Sequence, residues 1–167
     1  VKKLLPDSFV LFKPKDIVSG DFYWVNERDT KAMFAAVDCT GHGVPGAFMS
    51  IVGYNILKDV ITHTNLSSPG EILDRLNIGV SETLHQHGYE DSAKDGMDIS
   101  FCTLDYKTLV LEYAGAYNPL YLVRNGQLIQ YNANKFPLGF FVGEEKKKFT
   151  NNTVQLEKGD TVYIFSD

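Results

Sequence analysis

The sequence predicts an α+β fold, and three observations carry that prediction. Two strand-like runs lie side by side early in the chain. Two stretches of helical period follow, joined by a short connection. From Met97 onward the pattern is strands alone. Strands, then helices, then many antiparallel strands leave the helices segregated on sheet faces. A chain of 167 residues suits one domain with a real core, and no internal repeat or low-complexity tract divides it.

Phe9-Val10-Leu11-Phe12 is a short apolar strand candidate. Gly20 to Val25 and Lys31 to Cys39 form the next pair, with turn residues Asn26-Glu27-Arg28-Asp29 between them. Such a hairpin brings Asp21 and Asp38, at its two open ends, to one edge. Pro45 suits a first helical turn, and Phe48, Ile51, Val52, Ile56, Val60 and Ile61 recur at helical spacing, predicting a helix from about Pro45 to His63. Ser68-Pro69-Gly70-Glu71 has capping-box spacing. Ile72, Leu73, Leu76, Val80 and Leu84 then mark one apolar face, predicting a second helix to about His85, antiparallel to the first. Gly88 to Gly96 is a polar loop. Strands are expected at Met97 to Leu104, Leu109 to Ala114, Leu120 to Arg124, Gln127 to Tyr131, Thr153 to Leu156 and Thr161 to Phe165. Asn125-Gly126 is the strongest hairpin signal among their connections.

Apolar content of 44% and charged content of 22% fit an ordinary globular protein. A net charge of -5 argues against nucleic acid as a partner. It suits a site that must hold cations, and it serves solubility equally. The two cysteines, Cys39 and Cys102, form no disulfide framework and point to a reducing, cytoplasmic setting. No secretory h-region opens the sequence, and no apolar run approaches the ~20 residues of a membrane helix, so no membrane contact is expected from this segment. Val1-Lys2-Lys3-Leu4-Leu5-Pro6 resembles the last turn of a preceding element, and Tyr163-Ile164-Phe165 ends without a cap. Residues 1–167 are therefore expected to be one domain, excised from a longer multidomain protein and cut after Asp167.

The chemistry concentrates at Val37-Asp38-Cys39-Thr40-Gly41-His42-Gly43-Val44-Pro45-Gly46. An apolar run delivers a carboxylate, and a glycine-spaced turn then lets backbone approach a bound group. Asp21 in Ser19-Gly20-Asp21-Phe22-Tyr23 and Asp167 in Phe165-Ser166-Asp167 are two more aspartates at strand ends. Carboxylates beside bare carbonyls are what a hard cation takes, so a metal site is expected. His42 is the titratable side chain in the turn that could protonate a leaving alkoxide, although its spacing more simply marks a tight turn before the helix. His85 and His87 are two apart at a helix end, facing different ways, and make no metal pair. Asp95-Gly96 is a turn before a strand, and Asp98 ranks below the turn reading as a further ligand.

These motifs, in this order, resemble the metal-dependent type 2C serine/threonine phosphatases, in the bacterial branch of sporulation protein E and the sigma-factor regulators. Tyr113-Ala114-Gly115-Ala116-Tyr117-Asn118-Pro119-Leu120 and Phe136-Pro137-Leu138-Gly139 are also similar to that family, so the resemblance spans essentially the whole chain. It implies a four-layer αββα sandwich, two antiparallel β-sheets flanked by helix pairs. It also implies a centre of two Mn²⁺ or Mg²⁺ ions. Asp38 matches the bridging carboxylate, the backbone carbonyl of Cys39 a ligand of one ion, Asp21 the residue holding one ion directly or through water, and Asp167 a ligand of the other. An all-oxygen set suits these ions rather than zinc.

By the same resemblance, water activated at the centre attacks phosphorus in line, and neither cysteine need be a nucleophile. The implied substrate is a phosphorylated protein, such as an anti-anti-sigma type protein, and an upstream regulatory domain is expected. The domain is expected in the cytoplasm, with the full-length protein open to membrane tethering through other domains. The resemblance places the family's last aspartate on a strand after its Ser-Asp-Gly motif, beyond Asp167, so residues 1–167 are expected to lack that strand and one ion to lose a ligand. Lys13-Pro14-Lys15 stands near where the animal branch has a phosphate-binding arginine; Lys13 and Lys15 more simply are solvated lysines. The rival expectation is a catalytically impaired binding module of the same fold.

Overall fold

The computed structural model describes residues 1–84, 95–139 and 147–166. The element order is β1 (Phe22–Arg28), β2 (Lys31–Cys39), α1 (Gly43–His63), α2 (Pro69–Thr83), β3 (Met97–Asp105), β4 (Val110–Ala116), β5 (Leu120–Arg124), β6 (Gln127–Tyr131), β7 (Asn152–Gln155) and β8 (Thr161–Tyr163). A five-stranded antiparallel sheet has the order β1-β2-β3-β4-β7, and a three-stranded one has the order β6-β5-β8. The expected α+β sandwich is present. Among the described residues one helix pair covers the larger sheet, so three of the four expected layers are seen.

Period-two alternation builds two cores. Met33, Ala35, Val37 and Cys39 of β2 face the helices and pack with Leu57, Ile61, Leu73 and Leu76. Phe34 faces the other way, into a core between the sheets with Cys102, Leu111, Tyr113, Leu120, Leu122 and Val162. The 5–6 turn of the hairpin signal holds, with Asn125 at φ 51° and Gly126 at φ 75°.

Four expectations need correction. The β1–β2 turn is Asp29-Thr30 alone, because Asn26, Glu27 and Arg28 pair with Met33, Ala32 and Lys31; Asp29 takes φ 54°, which aspartate tolerates. Phe9 to Phe12 forms no strand, and Phe9 and Leu11 are each 73% exposed, so this apolar run lacks the cover that would make it a strand. α1 buries Gly46, Met49, Gly53, Leu57, Val60 and Ile61, whereas Phe48 and Ile51 face outward. Its glycines let the helix lie close to the sheet, since a Cβ on Gly53 would strike the Met97 sulfur. Ser68 is the N-cap of α2 but its side chain makes no capping bond; Asn151 Oδ1 accepts from the Gly70 N–H instead, at 3.1 Å. The described part of α2 ends at Thr83, and His85, His87 and most of the Gly88 to Gly96 loop lie outside the described residues.

Phe101 is fully buried in the centre of β3 against Trp24, with ring centroids 6.0 Å apart. Phe101→Ala should destabilise the domain by about 3–5 kcal/mol in urea unfolding, because helix and sheet cannot close over the void. A loss under about 1 kcal/mol would contradict this packing.

Candidate metal centre

The register of three strands assembles the site. Phe22 pairs with Val37, so the next position along brings Asp21 opposite Asp38. Asp38 is itself paired with Asp98, and Cys39 with Met97. Directly opposed residues share a face, with Cβ atoms about 4.5–5.5 Å apart. Asp21, Asp38 and Asp98 therefore form a row across β1, β2 and β3 at one end of the sheet. All three are half-buried. They lie on the face turned toward the second sheet, as Phe34 does two pleats away.

Backbone packing holds this end of the sheet. A Cβ on Gly20 would lie 2.8 Å from the Gly41 carbonyl oxygen and 2.9 Å from that of Cys39. A Cβ on Gly46 would collide with the Gly41 carbonyl and come within 3.2 Å of Gly20 Cα. Gly41 itself is at φ +91° and Gly43 at φ +62°, so the turn bends as only glycine readily does. Hydrogen bonds complete the frame. The Ser19 hydroxyl accepts from the Asp21 N–H at 3.0 Å, and the Ser50 hydroxyl of α1 donates to the Ser19 carbonyl at 3.2 Å. Thr40 Oγ1 accepts from the Gly96 N–H at 3.0 Å and Thr40 N–H donates to the Gly96 carbonyl at 3.0 Å, tying the turn to the start of β3.

The local field is negative. Burial, and then the charges of Asp38, Asp21 and Asp98, push the Cys39 thiol from its ordinary 9.0 up to about 12. Every charge acting on it has the same sign. Burial pushes the Cys102 thiol up as well. Both cysteines are buried and free, and burial favours the neutral thiol over the thiolate in each. An oxygen-only, negative donor set with close backbone carbonyls fits a hard divalent cation. Among the described residues, no three His, Cys, Asp or Glu side chains already converge as a finished ligand cluster. Like charges directly opposite one another are destabilising, and a bound cation would offset that cost.

The positions expected from the sequence divide as follows. Asp21 and Asp38 come together as the hairpin required, and the Cys39 carbonyl lies in the same turn. Asp98, ranked low on sequence grounds, stands directly opposite Asp38. The α1 and α2 helices separate those two residues in sequence, so no local turn announces their pairing. His42 is the N-cap of α1, with a side chain 72% exposed whose Nδ1 donates to Asp16 Oδ2 at 3.3 Å. Asp16 went unnoticed, because nothing in its spacing marks it. Asp167 lies outside the described residues.

Comparison with known proteins places this fold. The PP2C domain of SiaA from Pseudomonas aeruginosa matches at 28% identity with a TM-score of 0.82, over 93% of this chain and 58% of that one. A structure of the PP2C phosphatase domain of SpoIIE from Bacillus subtilis, with a fragment of its regulatory domain, matches at 18% identity and a TM-score of 0.68, over 87% of this chain and 40% of that one. RsbX in complex with magnesium matches at 16% identity and a TM-score of 0.67, over 92% and 69%. No curated protein sequence matches. The class is thus a PP2C-type phosphatase fold. Within it, the model of the Stage II sporulation protein E family matches residues 28–167, and the chain belongs to that family. It spans 58% of the SiaA chain and 40% of the SpoIIE chain.

Gly46→Ala should force the Gly41 carbonyl aside and push on the Gly20 backbone. The expected result is a loss of about 1–3 kcal/mol in unfolding free energy together with weakened Mn²⁺ binding by calorimetry. Unchanged stability and unchanged binding would contradict the interlocked turn.

Proposed function

We propose that this domain is a Mn²⁺- or Mg²⁺-dependent protein phosphatase that hydrolyses phosphoserine or phosphothreonine on a bacterial signalling protein. The observation that carries the reading is the row of Asp21, Asp38 and Asp98 beside the Cys39 carbonyl. Membership of the sporulation protein E family and likeness to PP2C domains support it. Two ions are expected in the complete domain, and when bound they would supply a water of lowered pKa and a screen for phosphoryl charge.

The chain's own residues then divide the work. Asp38, in the middle of the row, is the carboxylate that two ions can share. Asp21 on one side and Asp98 on the other extend the donor set, and the Cys39 carbonyl adds a neutral oxygen. Asp167 is assigned to the same set by resemblance. Asp38 is also assigned as the catalytic carboxylate, since it would hold the ions that lower the pKa of water. His42, exposed at the start of α1, is the proton donor for the departing oxygen. The burial of Cys39 and Cys102 argues against either cysteine as a covalent nucleophile.

The substrate we assign is a phosphorylated protein of the anti-anti-sigma type, and an upstream regulatory domain the controlling partner. The SpoIIE structure carries a fragment of a regulatory domain, and another related structure joins RsbU and RsbW domains in one Mycobacterium tuberculosis protein. Nucleic acid is set aside as a partner on the net charge of -5. No described helix is long and apolar enough to cross a membrane. Two free cysteines support a cytoplasmic placement, with any membrane tether carried by other domains. One observation favours the rival binding-module reading, which is that no ligand cluster stands ready among the described residues.

Asp38→Asn decides between them. In the full natural protein with excess Mn²⁺, turnover of a phosphoserine protein should fall by more than the roughly 10–100-fold typical of losing an outer-shell partner, with the fold intact by circular dichroism. A fully active variant, or a wild type without turnover, would refute the catalytic reading.

A further inference from the structure

Asp16 lies on the segment before β1, five residues ahead of Asp21, and reaches across to the metal turn. Its carboxylate accepts from His42 Nδ1 at 3.3 Å. The same oxygen would lie 3.5 Å from a Cβ on Gly43, the first residue of α1, so the carboxylate is seated over the start of that helix. The helix offers His42 no help in carrying a proton. Its first turn holds no acidic residue, and its N-terminal end is electropositive. A protonated imidazole there needs a counter-charge from outside the helix, and Asp16 is the group that provides it.

Stability alone is a poor reason for this pair. The two side chains are 72% and 45% exposed, and exposed ion pairs contribute little to folding. Orientation is a better one. A carboxylate on one ring nitrogen fixes the ring and leaves the other nitrogen to face outward as a donor. We propose that Asp16 is a positioning residue, fixing the His42 ring at the start of α1 so that its other nitrogen can deliver a proton to the departing seryl oxygen. This rests on the phosphatase reading above.

The step balances simply. As the oxygen of water bonds to phosphorus, the P–O bond to the serine breaks. The proton on the free ring nitrogen of His42 passes to the seryl oxygen, giving a serine hydroxyl. The proton lost by the attacking water goes to solvent, and the neutral imidazole, still bound to Asp16, takes a proton back from solvent.

The test compares leaving groups in the full natural protein loaded with Mn²⁺. A phosphoserine peptide has an alkoxide leaving group that needs a proton, whereas p-nitrophenyl phosphate releases a stable phenolate. Asp16→Asn should lower kcat on the phosphoserine peptide by about 10-fold or more while changing it less than about 3-fold on p-nitrophenyl phosphate. KM should change little on either. Asp16→Glu should recover part of the loss, and adding Asp16→Asn to His42→Ala should lower kcat no further. A readout without metal comes from ¹⁵N-histidine spectra of the same protein. The His42 Nδ1–H signal should be present in the wild type and shifted in Asp16→Asn. Equal losses on both substrates, no loss on either, or an unshifted Nδ1–H signal would overturn the positioning role. A wild type that turns over neither substrate would instead overturn the phosphatase reading, and this inference with it.

Discussion

Three carboxylates placed side by side on adjacent strands oppose folding, and the rest of the structure is arranged to tolerate them. Asp38 has Asp98 directly opposite it, and Asp21 follows on its other side. Like charges in directly opposed positions are destabilising. The large hydrophobic cores on both faces of the five-stranded sheet hold the register that imposes this row. A one-residue slip would turn every core residue of a strand to the wrong face, so the register cannot relax to relieve the charge. Local rules broken at one place within an otherwise consistent fold mark a functional site.

Backbone packing then gives the row its depth. Gly20, Gly41 and Gly46 bring three separate segments into contact; a side chain on Gly20 or Gly46 would collide, and Gly41 takes the positive φ that the turn needs. The Cys39 and Gly41 carbonyls are thereby fixed near the charged end of the sheet, with Thr40 joined to Gly96 across the gap. Donors set by backbone packing lose little freedom when a ligand arrives, which is the general advantage of preorganisation. The helix that follows leaves the same glycines with its small-residue face against the sheet, and this is why Phe48 and Ile51 point outward.

Much of this was legible in the sequence, for reasons that differ by element. β5 and β6 match to the residue because Asn125-Gly126 dictates a two-residue turn and hence a register. Asp21 and Asp38 were found because a hairpin links them locally. Asp98 was undervalued because its partner strand lies beyond two helices, and pairing across that distance is decided by the whole sheet. The buried face of α1 was misplaced because glycines carry no hydrophobic signal, yet here they form the contact face. Phe9 to Phe12 has a strand's composition, but composition alone brings no neighbouring strand to pair with it. Asp16 could not be singled out, since its link to His42 exists only in three dimensions.

The central claim is that the aspartate row is a divalent-cation site. Thermal unfolding of the full natural protein, followed with and without Mn²⁺ and paired with calorimetric titration, tests it most directly. The account predicts saturable binding and a stabilisation approaching about 2.7 kcal/mol once free Mn²⁺ reaches roughly 100 times its dissociation constant. Asp38→Asn should remove both the heat and the shift. Absence of binding heat and of any stabilisation by Mn²⁺ or Mg²⁺ at millimolar concentration would contradict it.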